Sequence, residues 1–216
     1  MENSTFAKHP TFYVVGLSYK KADAEMRGRF SLDEQAKSNL LQQAKQEGLE
    51  SLIVTSTCNR TEIYGFAQHP FQLIKLLCEN SNGTVEDFQK IAFVYKNKEA
   101  VSHMFRVGTG LDSQILGDFE IISQLKNAFV LSKEYNLANA FLERLVNAVI
   151  QASKKIKTDT EISSGATSVS FASVQYIIKN VQVSRTSVAN GFVWTITFGN
   201  NPDDQSNDGD QVELLG

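Results

Sequence analysis

Four short runs of β-forming residues, parted by two stretches of helical period, fill the first 96 residues. Their order constrains the fold more than any other feature of the chain. Residues 11–17 are apolar and β-rich and close near Gly16, so they read as a strand. Ser31 with Glu34 three residues on has the spacing of a capping box, and Leu40, Leu41 and Ala44 carry a helical stripe to a stop at Gly48. Residues 51–55 and 62–66 read as two more strands. Pro70 opens a second helix through Leu73, Ile74, Leu77 and Cys78, ending near Asn82-Gly83, and residues 91–95 read as the last strand. The order βαββαβ is the split βαβ arrangement of ferredoxin-like α+β folds, here expected over residues 8–96.

From Asn97 the apolar period becomes helical. Val101, Met104 and Phe105 mark one helix, and Leu111, Ile115, Phe119, Ile122 and Phe129 mark a long second one. Leu137, Phe141, Leu142, Leu145, Val149, Ala152 and Ile156 mark a third, and residues 168–180 read as a fourth after a Ser/Gly/Thr loop. This helical part, 97–180, is expected to complete the same domain. Residues 181–216 change character: Val181 and Val183 alternate with polar residues, Asn190-Gly191 is a hairpin signal, and Phe192, Trp194, Ile196 and Phe198 alternate again. An acidic stretch free of Lys and Arg follows, so this end reads as an unrelated β-hairpin and tail.

Composition narrows the function classes. The net charge of −3 gives no general argument for nucleic acid. Residues 181–216 hold Arg185 against Asp203, Asp204, Asp208, Asp210 and Glu213, a net −4, so the first 180 carry +1. Basic clusters at Lys20, Lys21, Arg27 and Arg29, and at Lys154, Lys155 and Lys157, could meet phosphates or be solvated faces. No run approaches the ~18 apolar residues of a membrane span. No secretory signal is visible, and the two cysteines suggest no disulfide framework, so a cytoplasmic setting is expected.

The chemistry concentrates in Ser56-Thr57-Cys58-Asn59-Arg60-Thr61-Glu62. A cysteine beside a β-run is usually a small buried hydrophobe, and Cys78, at helical spacing with Leu73, Ile74 and Leu77, fits that reading. Cys58 does not: it lies among polar residues where one strand breaks and the next begins, so its thiol can be exposed on a rigid scaffold. Arg60, two residues on, can lower a thiol pKa or grip a carboxylate. His9 and His69 lie outside any motif and read as surface residues.

Several segments in order resemble the glutamyl-tRNA reductase family: Gly16-Leu17-Ser18-Tyr19-Lys20-Lys21-Ala22, the Cys58 segment, Val101-Ser102-His103-Met104-Phe105-Arg106-Val107, Gly110-Leu111-Asp112-Ser113-Gln114-Ile115-Leu116-Gly117, and Lys154-Lys155-Ile156-Lys157-Thr158-Asp159-Thr160-Glu161. The resemblance runs from about residue 12 to about residue 180, over the family's amino-terminal catalytic domain. It implies that a cysteine thiolate takes glutamate from glutamyl-tRNA as a thioester, which NADPH reduces to glutamate-1-semialdehyde on the route to tetrapyrroles. Covalent capture divides one hard step into two. By the resemblance Cys58 is the nucleophile, Arg60 holds a glutamate carboxylate, and Thr57 and Asn59 flank the substrate. His103 is an acid/base or polarising group, and Ser113 and Gln124 contact the substrate. Asp118, Phe119 and Glu120 stand where many members carry Glu-Pro-Gln, so their substrate role is carried over only loosely. The implied partners are glutamyl-tRNA and, by the family, glutamate-1-semialdehyde aminomutase; members of the family dimerise, but the dimerisation region is expected to be missing from these residues, and no metal and no membrane are implied.

No Gly-x-Gly-x-x-Gly occurs in the sequence, and the hairpin end resembles no nucleotide-binding half-domain. NADPH is therefore expected to find no site in these residues, and the chain is expected to act as a glutamyl-tRNA esterase. The alternative is a non-catalytic tRNA- or protein-binding module with an appended β tail.

Overall fold

The computed structural model describes residues 10–114, 116–118, 120–160, 181–188, 191–198 and 211–215. The chain divides into two compact units, one up to residue 165 and one from residue 166.

The first unit is a mixed helix and antiparallel-sheet structure. Its strands are β1 (Thr11–Ser18), β2 (Leu52–Ser56), β3 (Arg60–Ala67) and β4 (Phe93–Lys96), joined in the order β2-β3-β1-β4 with every neighbouring pair antiparallel. Helices α1 (Ala24–Arg29) and α2 (Glu34–Gln46) link β1 to β2, and α3 (Pro70–Glu79) and α4 (Val85–Ile91) link β3 to β4. Helices α5 (Asn97–Gly108), α6 (Glu120–Glu134) and α7 (Ala140–Asp159) follow.

Side chains alternate across a strand, and here both faces are covered. Val15, Leu17, Leu52, Val54 and Ile63 pack with Leu40, Leu41, Leu73, Leu77 and Phe88 of α2, α3 and α4. Phe12, Val14, Ile53 and Tyr64 pack with Met104, Leu125, Leu142, Val146 and Val149 of α5, α6 and α7. Each such side chain, fully buried, stabilises the fold by roughly 1.5–3 kcal/mol before entropy is counted. The two-sided burial explains why β1 reads as a nearly continuous apolar run.

Local expectations are corrected at several ends. Helix α2 is capped by Asp33, whose carboxylate accepts from Ala36 N–H at 2.8 Å, not by Ser31. A capping box does occur at α3, where His69 Nδ1 accepts from Phe71 N–H at 3.2 Å and Gln72 Oε1 accepts from His69 N–H at 3.3 Å. His69 is thus an exposed cap. The short α1 and α4 lie where no element was expected, and α4 runs to Ile91, the expected start of the last strand. The helix expected from Leu111 begins only at Glu120, because the chain first turns through Gly110 (φ 74°) and Gly117 (φ 81°), whose backbone bond closes at 3.1 Å. Such positive φ values favour glycine. The helix expected over 168–180 lies outside the described residues.

The second unit holds β5 (Val181–Val188), β6 (Gly191–Phe198) and β7 (Gln211–Leu215), an antiparallel sheet in the order β5-β6-β7. The hairpin follows the alternation; β7 falls in what read as tail.

Candidate active site

Thr57, Cys58 and Asn59 connect β2 to β3, and each has its backbone tied down. Thr57 N–H donates to Arg60 O at 2.8 Å, and Thr57 Oγ1 accepts from the N–H groups of Asn59 and Arg60, both at 3.2 Å. Tyr19 N–H donates to Asn59 O at 2.9 Å, and Arg27 Nε donates to Cys58 O at 2.9 Å. The loop is fixed while the Cys58 side chain stays exposed. Cys78 is half-buried against the core, and its burial, with Glu86 and Glu79 nearby, pushes its thiol up to about 11.

Arg60, Glu62 and Tyr64 stand at alternate positions of β3, so they share the sheet face that α5 covers. Arg60 is only 2% exposed, and its guanidinium is already taken: Nη1 lies 2.9 Å from Glu62 Oε1 and 3.3 Å from Asp112 Oδ2, and Nη2 donates to Asp112 O. The expected grip on a substrate carboxylate therefore meets a cation turned inward onto two carboxylates. Glu62 is fully buried. It also accepts from Tyr64 Oη and pairs with His103 Nε2 at 2.9 Å. Burial alone would raise its carboxyl, but Arg60, His103 and Tyr64 outweigh that and hold it at about 2. Tyr64 is pushed well above the usual phenol range by burial and by the Glu62 carboxylate, so it stays a donor. Arg60 is raised despite burial, because Glu62 and Asp112 favour its charge.

Gly16 faces Glu62 across the β1–β3 ladder, and a Cβ there would lie 2.8 Å from Glu62 Cγ and 2.7 Å from Thr61 O. The missing side chain is the space that Glu62 fills.

His103 sits on the buried side of α5, 3% exposed. Its ring is wedged by Phe93 and Tyr95, with centroids at 4.9 and 5.2 Å. It lines a cavity of about 360 Å³ together with Ser18, Lys20, Lys21 and Arg106. Lys20 pairs with Asp112. Of the basic cluster expected near residues 20–29, Arg27 is spent on the backbone of Cys58 and Ala22, and Arg29 on Asp87 at 2.8 Å.

Among the described residues, the other expected ones make no hydrogen bond to this cluster, although Ser113 follows Asp112 in the chain. Ser113 is half-buried in the Gly110 turn, its N–H bonded to Gly110 O at 3.4 Å. Gln124 is exposed on α6 and lines a different cleft of about 510 Å³, beside Thr55, Ser56 and Asn127. Asp118 accepts from Glu120 N–H at 3.0 Å, and burial raises its carboxyl. Glu120 is exposed, while Phe119 and His9 lie outside the described residues. Sequence reasoning missed Glu62, Tyr64 and Asp112. Its available signal was the polar set Arg60, Glu62 and Tyr64 at period two in a strand with no solvent face.

The sequence profile described as glutamyl-tRNAGlu reductase, N-terminal domain, matches residues 15–160. The chain belongs to the glutamyl-tRNA reductase family. A glutamyl-tRNA reductase of Flavobacterium psychrophilum is 81% identical over 181 residues, which are 84% of this chain and 44% of that protein. One of Christiangramia forsetii is 72% identical over 181 residues, covering 84% and 43%. The solved glutamyl-tRNA reductase of Methanopyrus kandleri superposes with a TM-score of 0.61 at 25% identity, over 76% of this chain and 39% of that one. The chain thus spans under half the length of these relatives. Among the described residues no helix is long and apolar enough to cross a membrane, and no cluster of three or more His, Cys, Asp or Glu could hold a metal.

Proposed function

We propose that this chain carries the thioester-forming half of a glutamyl-tRNA reductase, on a ferredoxin-like core over residues 8–96 completed by the helical part 97–180. The observation that carries the reading is an exposed thiol, Cys58, on a backbone fixed at three consecutive residues, two positions before Arg60 of the buried charged cluster. Cys58 attacks the ester carbonyl linking glutamate to tRNA; the S–C bond forms, the C–O bond breaks, and the thiol proton passes through His103 to the departing ribose oxygen. Thr57 and Asn59 shape the loop around the thiol through their backbone ties. Arg60 holds the substrate carboxylate by exchanging Asp112 for it, one carboxylate for another, so no buried cation is left unpaired. Ser113 lies in the Gly110 turn beside Asp112, and Gln124 offers an amide from the second cleft. Asp118, Phe119 and Glu120 are kept as looser candidates.

When bound, NADPH supplies the hydride that turns the thioester into an aldehyde. The 216 residues contain no Gly-x-Gly-x-x-Gly to cradle it, so that step is not assigned to them. Without a positioned hydride donor, water is the acceptor and these residues act as an esterase.

The test incubates the chain with glutamyl-tRNA carrying labelled glutamate, with and without NADPH, beside Cys58→Ser. Expected is Cys58-dependent deacylation and label on protein, with no semialdehyde. Deacylation equal in Cys58→Ser would sink the reading, and tRNA binding without either product would favour the binding module.

A further inference from the structure

Glu62 occupies a position that neither the thiol loop nor the substrate contacts explain. It is fully buried, yet it receives three donors: Arg60 Nη1 at 2.9 Å, His103 at 2.9 Å, and the Tyr64 hydroxyl. Building a carboxylate into a two-sided sheet core costs several kcal/mol unless each oxygen is satisfied. Here the chain even omits a side chain at Gly16 to admit it. Arg60 alone does not demand this, because Asp112 already faces the guanidinium.

We infer that Glu62 is a positioning residue that fixes the tautomer of His103, holding the ring proton on Nε2 and leaving the Nδ1 lone pair for the cavity. An ionised carboxylate can only accept, so the imidazole nitrogen 2.9 Å away must carry the hydrogen. A neutral imidazole has one N–H, so Nδ1 is then the acceptor. The surrounding charges agree: Arg60 and Lys20 already pair with Glu62 and Asp112, and Lys21 and Arg106 border the same cavity, so a charged ring would add one more cation beside them. Ring rotation is blocked by Phe93 and Tyr95. Among the described residues nothing else hydrogen-bonds to the His103 ring, and the ring lines the cavity that Lys21 and Arg106 also border. A base that takes a thiol proton needs this lone pair, and the opposite tautomer would present an N–H instead. The catalytic meaning rests on the proposed reading of His103 as the group that moves that proton; the tautomer itself does not.

The test reads the tautomer directly. The full chain, labelled with 15N-histidine, is examined at neutral pH by long-range 1H–15N correlation. Signals of the three histidines are assigned by substituting His9 and His69 singly. Expected is a protonated Nε2 and an unprotonated Nδ1 for His103; an Nδ1–H tautomer, or a fast mixture, overturns the inference. Glu62→Leu, which offers no acceptor, is then compared by circular dichroism, spectrum and deacylation. With the carboxylate gone nothing holds the proton on Nε2, so the ring should become a mixture of the two tautomers, with the deacylation rate down on the order of 100-fold and KM nearly unchanged. A folded Glu62→Leu with an unmoved tautomer refutes the inference, and if that variant does not fold, the wild-type spectrum decides alone. The predicted tautomer in a chain without Cys58-dependent deacylation would retire the catalytic reading and leave the Glu62–His103 assignment standing.

Discussion

Lowering the pH from 7 to 3 tests how much the Glu62 carboxylate contributes to folding. Its folded pKa lies at about 2, against an ordinary value of 4.5. Because the folded value is the lower one, the contribution is complete above about pH 4.5 and drains away as pH falls towards 2. The full effect is the 2.5-unit difference at 1.36 kcal/mol per unit, about 3 kcal/mol, of which about 2 kcal/mol is gone by pH 3. Two other carboxylates are also held low, Asp87 by its bond from Lys90 and Glu143 by Lys133, but both are surface groups whose ion pairs solvent screens. Burial raises Asp118, which works in the opposite direction. The assay is urea unfolding at pH 7, 5, 4 and 3, alongside the 13C shift of the Glu62 carboxyl, which isolates the one group. A carboxyl that titrates near its ordinary value, or a stability at pH 3 within about 0.5 kcal/mol of that at pH 7, would refute the account of the buried cluster.

The two thiols should separate cleanly under a thiol reagent at pH 8: Cys58, exposed, reacts in the native chain, whereas Cys78, half-buried and pushed up to about 11, reacts only on unfolding. Two equally fast thiols by mass spectrometry would contradict the placement of Cys78 against the core. Gly108→Ala should destabilise by about 1–3 kcal/mol, because the new Cβ would stand 2.2 Å from Val149 Cγ1 on α7. Adding Val149→Ala should recover part of that loss in thermal unfolding, and strictly additive losses would count against the α5–α7 contact.

Much of the strand and helix succession was legible locally. Periods of two and 3.6, Pro70 at a helix start and the Asn190-Gly191 turn are carried by neighbouring residues, and β1 to β6 lie within a few residues of where those signals put them. Errors gathered where a short-range pattern competed with another residue's geometry. Asp33 outcompeted Ser31 as a cap, and the positive φ of Gly110 and Gly117 broke an apolar spacing that looked helical from Leu111.

The polar break around Cys58 marked the thiol loop from sequence alone, because exposure at a strand end is a local property. The purpose of Glu62 was not readable that way. Its partners arrive from β3 itself, from His103 forty-one residues on and, through Arg60, from Asp112 fifty-two residues beyond that arginine. A lone carboxylate in a strand looks like a solvated face until the second layer of helices is known. The sequence by itself determined strands β1 to β6, helices α2, α3, α5 and α7, and the exposed thiol. Only the tertiary structure turned Arg60 inward, left Gly16 open for Glu62 and brought His103 onto its carboxylate, since these depend on which surfaces the two-sided sheet buries together.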